Sequence, residues 1–149
     1  MSAQLVLLAA NRPLWAAASG WFIAQLIKTL VALRKDRRLN LGHLVGAGGM
    51  PSSHSALVMG LATGVARING LESTAFALAA VFAGVVMYDA AGVRLAVSKQ
   101  ARILNRMLDD FFHERGIAEQ KLRELIGHTP IQVFAGALIG IVMGLLLTR

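Results

Sequence analysis

The apolar positions of this chain fall into long runs separated by short polar breaks. Leu14 to Leu33 is almost wholly apolar, with Lys28 as its one charge, and matches the roughly 20 residues a helix needs to cross a bilayer. Arg34-Lys35-Asp36-Arg37-Arg38 closes it. A shorter run, His54 to Ile68, ends at Asn69-Gly70, a turn signal. Thr74 to Val93 is the third run, with Tyr88 and Asp89 near its end. Ile131 to Leu147 is the fourth, with Pro130 at its first turn and Arg149 beyond. Ahead of them, Met1 to Ala10 is broken by Asn11-Arg12-Pro13. It lacks the basic start of a signal peptide, so no cleavage is expected.

Between the third and fourth runs the pattern changes. From Arg94 to Gly127 the apolar residues pair as Ile103/Leu104, Met107/Leu108 and Phe111/Phe112. That is one stripe at helical spacing, with Arg102, Arg106, Asp109, Asp110 and Glu114 on the other faces. It predicts an amphipathic helix lying on the membrane or over the bundle; a coiled-coil or dimer helix would show the same stripe. Gly116 is expected to break it. Together the runs predict an all-α integral-membrane helical bundle. It is a single membrane domain over residues 1–149, with about four transmembrane helices. The expected spans are about 14–33, 54–68, 74–93 and 131–147, with the amphipathic segment over 94–127.

Composition agrees. The chain is 56% hydrophobic and only 15% charged, against about a quarter charged in soluble domains. Mean hydropathy is +0.60. There is no cysteine, so neither a disulfide nor a thiolate metal ligand enters. A net charge of +7 could suggest nucleic acid, but where the charges lie argues for membrane orientation and against a nucleic-acid partner. Of the 15 Lys and Arg, 11 lie in the two segments bordering the second and third runs on one side, from Arg34 to Arg38 and from Arg94 to Arg123. Arg12, Arg67 and Arg149 lie on the other. The positive-inside rule puts the 11-residue side in the cytoplasm, and an inner cell membrane is the expected location.

The stretch Gly42 to Ser55 carries the first candidate chemistry. Gly46, Gly48 and Gly49 lead into Met50-Pro51-Ser52-Ser53-His54-Ser55 and then an apolar run. A Gly-rich loop ending in Pro and Ser builds a helix start whose N–H groups and dipole favour an anion. His54 falls in the first turn, where an imidazole can give or take a proton near neutral pH. His128 precedes Thr129-Pro130, a second helix start of the same kind. Lys28 and Asp89 lie inside apolar runs, where ionisable residues are costly and usually functional. In the four-span arrangement Lys28, His54, Asp89, Arg94 and His128 gather at one level. Each has a plainer reading: Lys28 can snorkel, Asp89 can pair with Lys28 or Arg94, and a loop histidine is often incidental.

Gly49-Met50-Pro51-Ser52-Ser53-His54-Ser55 resembles the P-S-G-H signature of the type-2 phosphatidic acid phosphatase and vanadium haloperoxidase superfamily. His128-Thr129-Pro130-Ile131-Gln132, running on into Val133-Phe134-Ala135-Gly136-Ala137, resembles its H-x-x-x-D signature. Lys28 followed by Lys35-Asp36 resembles K-x6-R-P. With Met87-Tyr88-Asp89-Ala90-Ala91-Gly92-Val93-Arg94, the chain looks like the small divergent branch of that superfamily over nearly its whole length. The resemblance implies a phosphatase of lipid or polyprenyl phosphates, with no metal or other cofactor. It implies His128 as the nucleophile that becomes a phosphohistidine and His54 as the acid that protonates the leaving oxygen. It implies phosphate ligands among Lys28, Gly49, Ser52, Ser53 and a basic residue.

The sequence departs from the pattern in three places. Gln132 replaces the aspartate, and Asp89 is the candidate substitute. Lys121 and Leu122 stand where a Ser-Arg pair is expected; Arg94 is favoured over Arg123 as the replacement. The spans are fewer than the six common in lipid-phosphatase members, which a homodimer would offset. Two other classes share these features: a phospholipid- or anion-binding membrane protein without turnover, and a small transporter subunit.

Overall fold

The computed structural model describes residues 2–36, 49–112 and 128–149. Helix α1 (Ala3–Ala9) is a short exposed lead-in. The Asn11 side-chain oxygen then accepts the Leu14 N–H at 3.1 Å and opens α2 (Arg12–Asp36). This helix outlasts the apolar run because Arg34 and Lys35 are good helix formers that continue it as far as Asp36. Ser52 caps α3 (Ser53–Asn69), which ends on Gly70 at φ 87°. Ser73 caps α4 (Thr74–Tyr88) by accepting the Phe76 N–H at 3.1 Å. Thr129 caps α6 (Pro130–Leu147).

Between α4 and the last helix, the expected boundary of the third run with the amphipathic segment falls at Val93. The helix does not stop there. It passes through a π-helical segment, Asp89–Val93, directly into α5 (Arg94–Phe112). The amphipathic stripe also has a definite facing. Ile103, Leu104 and Met107 are exposed, while Ser98, Ala101 and Asn105, at helical spacing, are buried. An apolar face turned outward is what a bilayer favours. The expected break at Gly116 lies outside the described residues.

Helix α3 is the centre of the bundle. It packs on α2, α4 and α6, and α2 also packs on α6. The seams are made of small residues: Ala16, Ala17, Gly20 and Ala24 on α2; Ala56, Gly60 and Gly64 on α3; Gly136, Gly140 and Gly144 on α6. A Cβ on Gly20 would lie 2.8 Å from the Ala56 carbonyl oxygen, and one on Gly60 would lie 2.8 Å from that of Ala16. Lipid gives helices no hydrophobic reason to associate, so close backbone approach and van der Waals contact must hold them. The bulky apolar residues point the other way: Leu14, Phe22, Leu78, Val81, Phe82 and Phe134 are all exposed.

Hydrogen bonds fix how the helices align end to end. Ser52 N–H donates to the Gln132 carbonyl at 3.0 Å, joining the N-terminal ends of α3 and α6. Arg67 Nε donates to the Thr148 carbonyl at 3.3 Å, joining their C-terminal ends. The two helices therefore run parallel over the same depth. Arg12 Nη1 reaches the Arg149 carbonyl at 2.6 Å, so α2 starts where α6 finishes. Among the described residues, Arg12–Arg34, Thr74–Leu108 and Pro130–Leu147 are long and apolar enough to cross a membrane. At 17 residues α3 falls just below that length, but its ends match those of α6.

Candidate functional site

The site forms at the end of the bundle where α3 and α6 both begin. On α6 the local sequence builds a capping box. The Thr129 hydroxyl accepts the Gln132 N–H at 3.4 Å, and Gln132 Oε1 accepts the Thr129 N–H at 3.1 Å. This pairing satisfies two of the orphan donors that open a helix. It also fixes which atom of the amide is the oxygen, since the Thr129 N–H needs an acceptor. The same Oε1 lies 3.3 Å from His128 Nδ1. An acceptor there selects the tautomer with its proton on Nδ1 and its lone pair on Nε2.

His128 is buried and is held from the other side by its backbone. Its N–H donates to the Ala90 carbonyl at 3.1 Å. Ala90 lies in the π segment, next to Asp89. A π turn disrupts the i→i−4 ladder and turns a carbonyl toward the segment before α6. The π segment is thus how the long α4–α5 helix reaches the histidine.

The loop before α3 is fixed just as closely. Gly49 has φ +85°, a conformation side chains disfavour, and Met50–Pro51 is a cis peptide. Ser52 is fully buried. Its hydroxyl accepts the Ser55 N–H at 3.3 Å and the Ser55 hydroxyl at 3.0 Å. With its own N–H committed to Gln132, Ser52 serves as cap and as bridge to α6. The N–H groups of Ser53 and His54 lie in the first turn, where helix geometry aims donors out of the helix start. A Cβ on Gly136 would overlap the Ser52 carbonyl oxygen, so glycine there lets the loop lie against α6.

These constraints bring the expected residues together. The His54 and His128 rings have centroids 6.4 Å apart, tilted by 60°, too far for a direct ring-to-ring hydrogen bond. The Lys28 stem lies along Gly49, where an added Cβ would meet its Cγ at 3.3 Å. The Lys28 side chain is buried in the bundle. Two parallel helix N-termini and one ammonium thus converge at one place, a setting that favours an anion. Asp89 reaches the same level through the π segment. The side chains of Arg94 and Lys35 lie outside the described set, as do Lys121, Leu122 and Arg123.

The sequence reading missed Gln25 and the Ala90 carbonyl. Gln25 is 8% exposed and sits one turn before Lys28 on the same face of α2. It is the one amide in the Leu14–Leu33 run, and its i, i+3 spacing to the lysine was the available signal. The Ala90 carbonyl has no sequence signal, since it depends on helix winding.

The architecture defines an integral-membrane helical bundle with a histidine pair set at two helix starts. Comparison with known proteins names the group more closely. The Divergent PAP2 family matches residues 9–143, and the chain belongs to that family. It is also similar to YuiD, an uncharacterized membrane protein of Bacillus subtilis (strain 168). The two are 41% identical over 148 residues, taking in 92% of this chain and 94% of that protein. No solved structure matches.

Proposed function

We propose that the protein is an integral-membrane phosphatase of lipid or polyprenyl phosphates that works through a phosphohistidine. The supporting observation is the facing pair His54 and His128 beside Lys28, with the Gln132 amide oxygen on His128 Nδ1. In this reading His128 Nε2 attacks phosphorus. The bond from phosphorus to the ester oxygen breaks, and that oxygen takes a proton from the His54 imidazolium. Water then attacks the phosphohistidine and returns a proton to His54, releasing inorganic phosphate and neutral His128. Lys28 and the N–H groups at the start of α3 meet the charge on the phosphoryl oxygens, the main need of phosphoryl transfer.

The test is phosphate release by purified protein in detergent, across lipid phosphates and an aryl phosphate, with and without chelator. His128→Ala should fall to background on every substrate while the protein still binds lipid. His54→Ala should lose about 10²–10⁴-fold on an alkyl ester, the usual worth of a general acid, and much less on the aryl ester, whose oxygen leaves without a proton. A His128→Ala protein that keeps near wild-type turnover would sink the assignment. Loss with chelator, restored by magnesium, would recast Asp89 as a metal ligand. One observation favours a second reading, an anion-binding protein without turnover. The partner of His128 Nδ1 is a neutral amide, which cannot stabilise an imidazolium as a carboxylate does. A wild type that binds anionic lipid and releases no phosphate would establish it.

A further inference from the structure

Three chain segments meet at Gly64, at the end of the bundle away from the histidines. A Cβ there would lie 2.9 Å from Pro13 Cα and 3.2 Å from Thr148 Cγ2. Each segment brings an arginine to this junction. Arg12 opens α2, Arg67 stands in the last turn of α3, and Arg149 follows α6. Arg12 Nη1 donates to the Arg149 carbonyl at 2.6 Å, and Arg67 Nε to the Thr148 carbonyl at 3.3 Å. Those carbonyls belong to consecutive residues, whose Cα atoms are about 3.8 Å apart, so the two guanidinium groups are held close together.

All three arginines are exposed. Among the described residues, no side-chain carboxylate bonds to any of them. Glu72, in the turn at this end, is folded over Gly70, where it would collide with an added Cβ. One cation at the end of α6 is what the helix dipole favours, but three exceed that need. A guanidinium has five donors, and each carbonyl bond uses one. The depth is also informative. Arg12 opens one segment long and apolar enough to cross a membrane, and Leu147 closes another. The cluster therefore sits at the bilayer boundary, level with lipid headgroups. Its flanks are apolar and exposed: Trp15, whose Nε1 donates to the Ala9 carbonyl at 2.9 Å, and Leu5, Val6, Leu7 and Leu8 of α1. Tryptophan is enriched at that boundary.

We propose that Arg12, Arg67 and Arg149 form a seat for the phosphodiester headgroup of an anionic phospholipid, in the leaflet opposite the histidine site. Guanidinium forks match phosphate oxygens, in pairs of hydrogen bonds. Three positive charges repel a choline cation, so the seat selects anionic over zwitterionic lipid. The bound headgroup joins the start of α2 to the ends of α3 and α6. This lipid is a ligand of the fold and not a substrate, so the assignment stands apart from the phosphatase reading.

The experiment is native mass spectrometry of the full chain in detergent, titrated with phosphatidylglycerol or with phosphatidylcholine. The wild type should hold one phosphatidylglycerol more tightly than phosphatidylcholine. None of the hydrogen bonds above uses the Arg149 side chain, so Arg149→Gln removes a charge and keeps the junction. A basic residue near a lipid surface is worth about 1 kcal/mol, or about fivefold. Arg149→Gln and Arg12→Gln should each weaken phosphatidylglycerol binding by about that factor and leave phosphatidylcholine unchanged. Lys28→Gln, at the other end, should have no effect on it. Equal affinity for the two lipids, or phosphatidylglycerol binding unaltered in both arginine variants, would overturn the proposal. Loss of binding in Lys28→Gln would do so too, by moving the headgroup to the histidine site. Displacement of the lipid by inorganic phosphate at equal concentration would show a seat for a soluble anion instead.

Discussion

Gln132 joins three structural relations in one residue. Its carbonyl takes the Ser52 N–H, its amide oxygen takes the Thr129 N–H, and the same oxygen lies at His128 Nδ1. Gln132→Ala therefore removes more than an orienting group. It should lower stability by about 1 kcal/mol through the lost cap, read as a fall in the unfolding midpoint in detergent. Gln132→Glu separates the roles, because glutamate serves the capping box equally well. The new carboxylate favours the charged imidazole and raises its pKa. His128 would then become a neutral nucleophile only at higher pH. The acidic limb of the pH–rate profile should move upward, and the maximal rate should rise if imidazolium stabilisation limits the wild type. An unmoved profile would show that Gln132 only caps and orients. The histidines themselves were legible in the sequence, because Pro-Ser-Ser-His and His-Thr-Pro mark helix starts locally. Gln25 was not, since an amide in an apolar run shows its burial only once the helix faces are known.

At the scale of elements, the fold depends on where backbones touch. The loop carrying Ser52 lies against α6 only because Gly136 has no side chain. Gly136→Ala would push the Ser52 carbonyl away and separate the starts of α3 and α6. The expected cost is about 1–3 kcal/mol, as for overpacking elsewhere, together with loss of any activity that needs His54 beside His128. Gly84→Ala is the matched control. A Cβ there meets nothing within 4 Å, so the change should leave stability unaltered or raise it by up to about 1 kcal/mol. Equal effects at the two sites in thermal unfolding would remove the special role given to the Gly136 seam. The apolar runs made α2, α4 and α6 readable, because length and hydropathy suffice for a bilayer helix. Neither the facing of α5 nor its unbroken join to α4 could be read. An amphipathic stripe says that a helix has two faces, and only its neighbours decide which one is covered. The π turn at Asp89–Val93 likewise has no residue pattern of its own.

At the scale of the whole molecule, the two ends of the bundle differ in charge and chemistry. Arg12 and Arg67 meet the chain end there, donating to the carbonyls of Arg149 and Thr148 just past α6. Lys28, His54 and His128 lie toward the other, next to the segments that hold most of the basic residues in the sequence. The positive-inside rule then predicts a cytoplasmic histidine end. The chain has no cysteine, so single cysteines can report this directly. Met50 and Leu71 suit the purpose, being 48% and 71% exposed and at opposite ends of α3. In intact cells a membrane-impermeant thiol reagent should label Leu71→Cys and spare Met50→Cys. After permeabilisation it should label both, which separates protection by the membrane from occlusion by the protein. Labelling of Met50→Cys but not Leu71→Cys in intact cells would put the histidine site on the outer face. The substrate pool available to it would then be the outer leaflet.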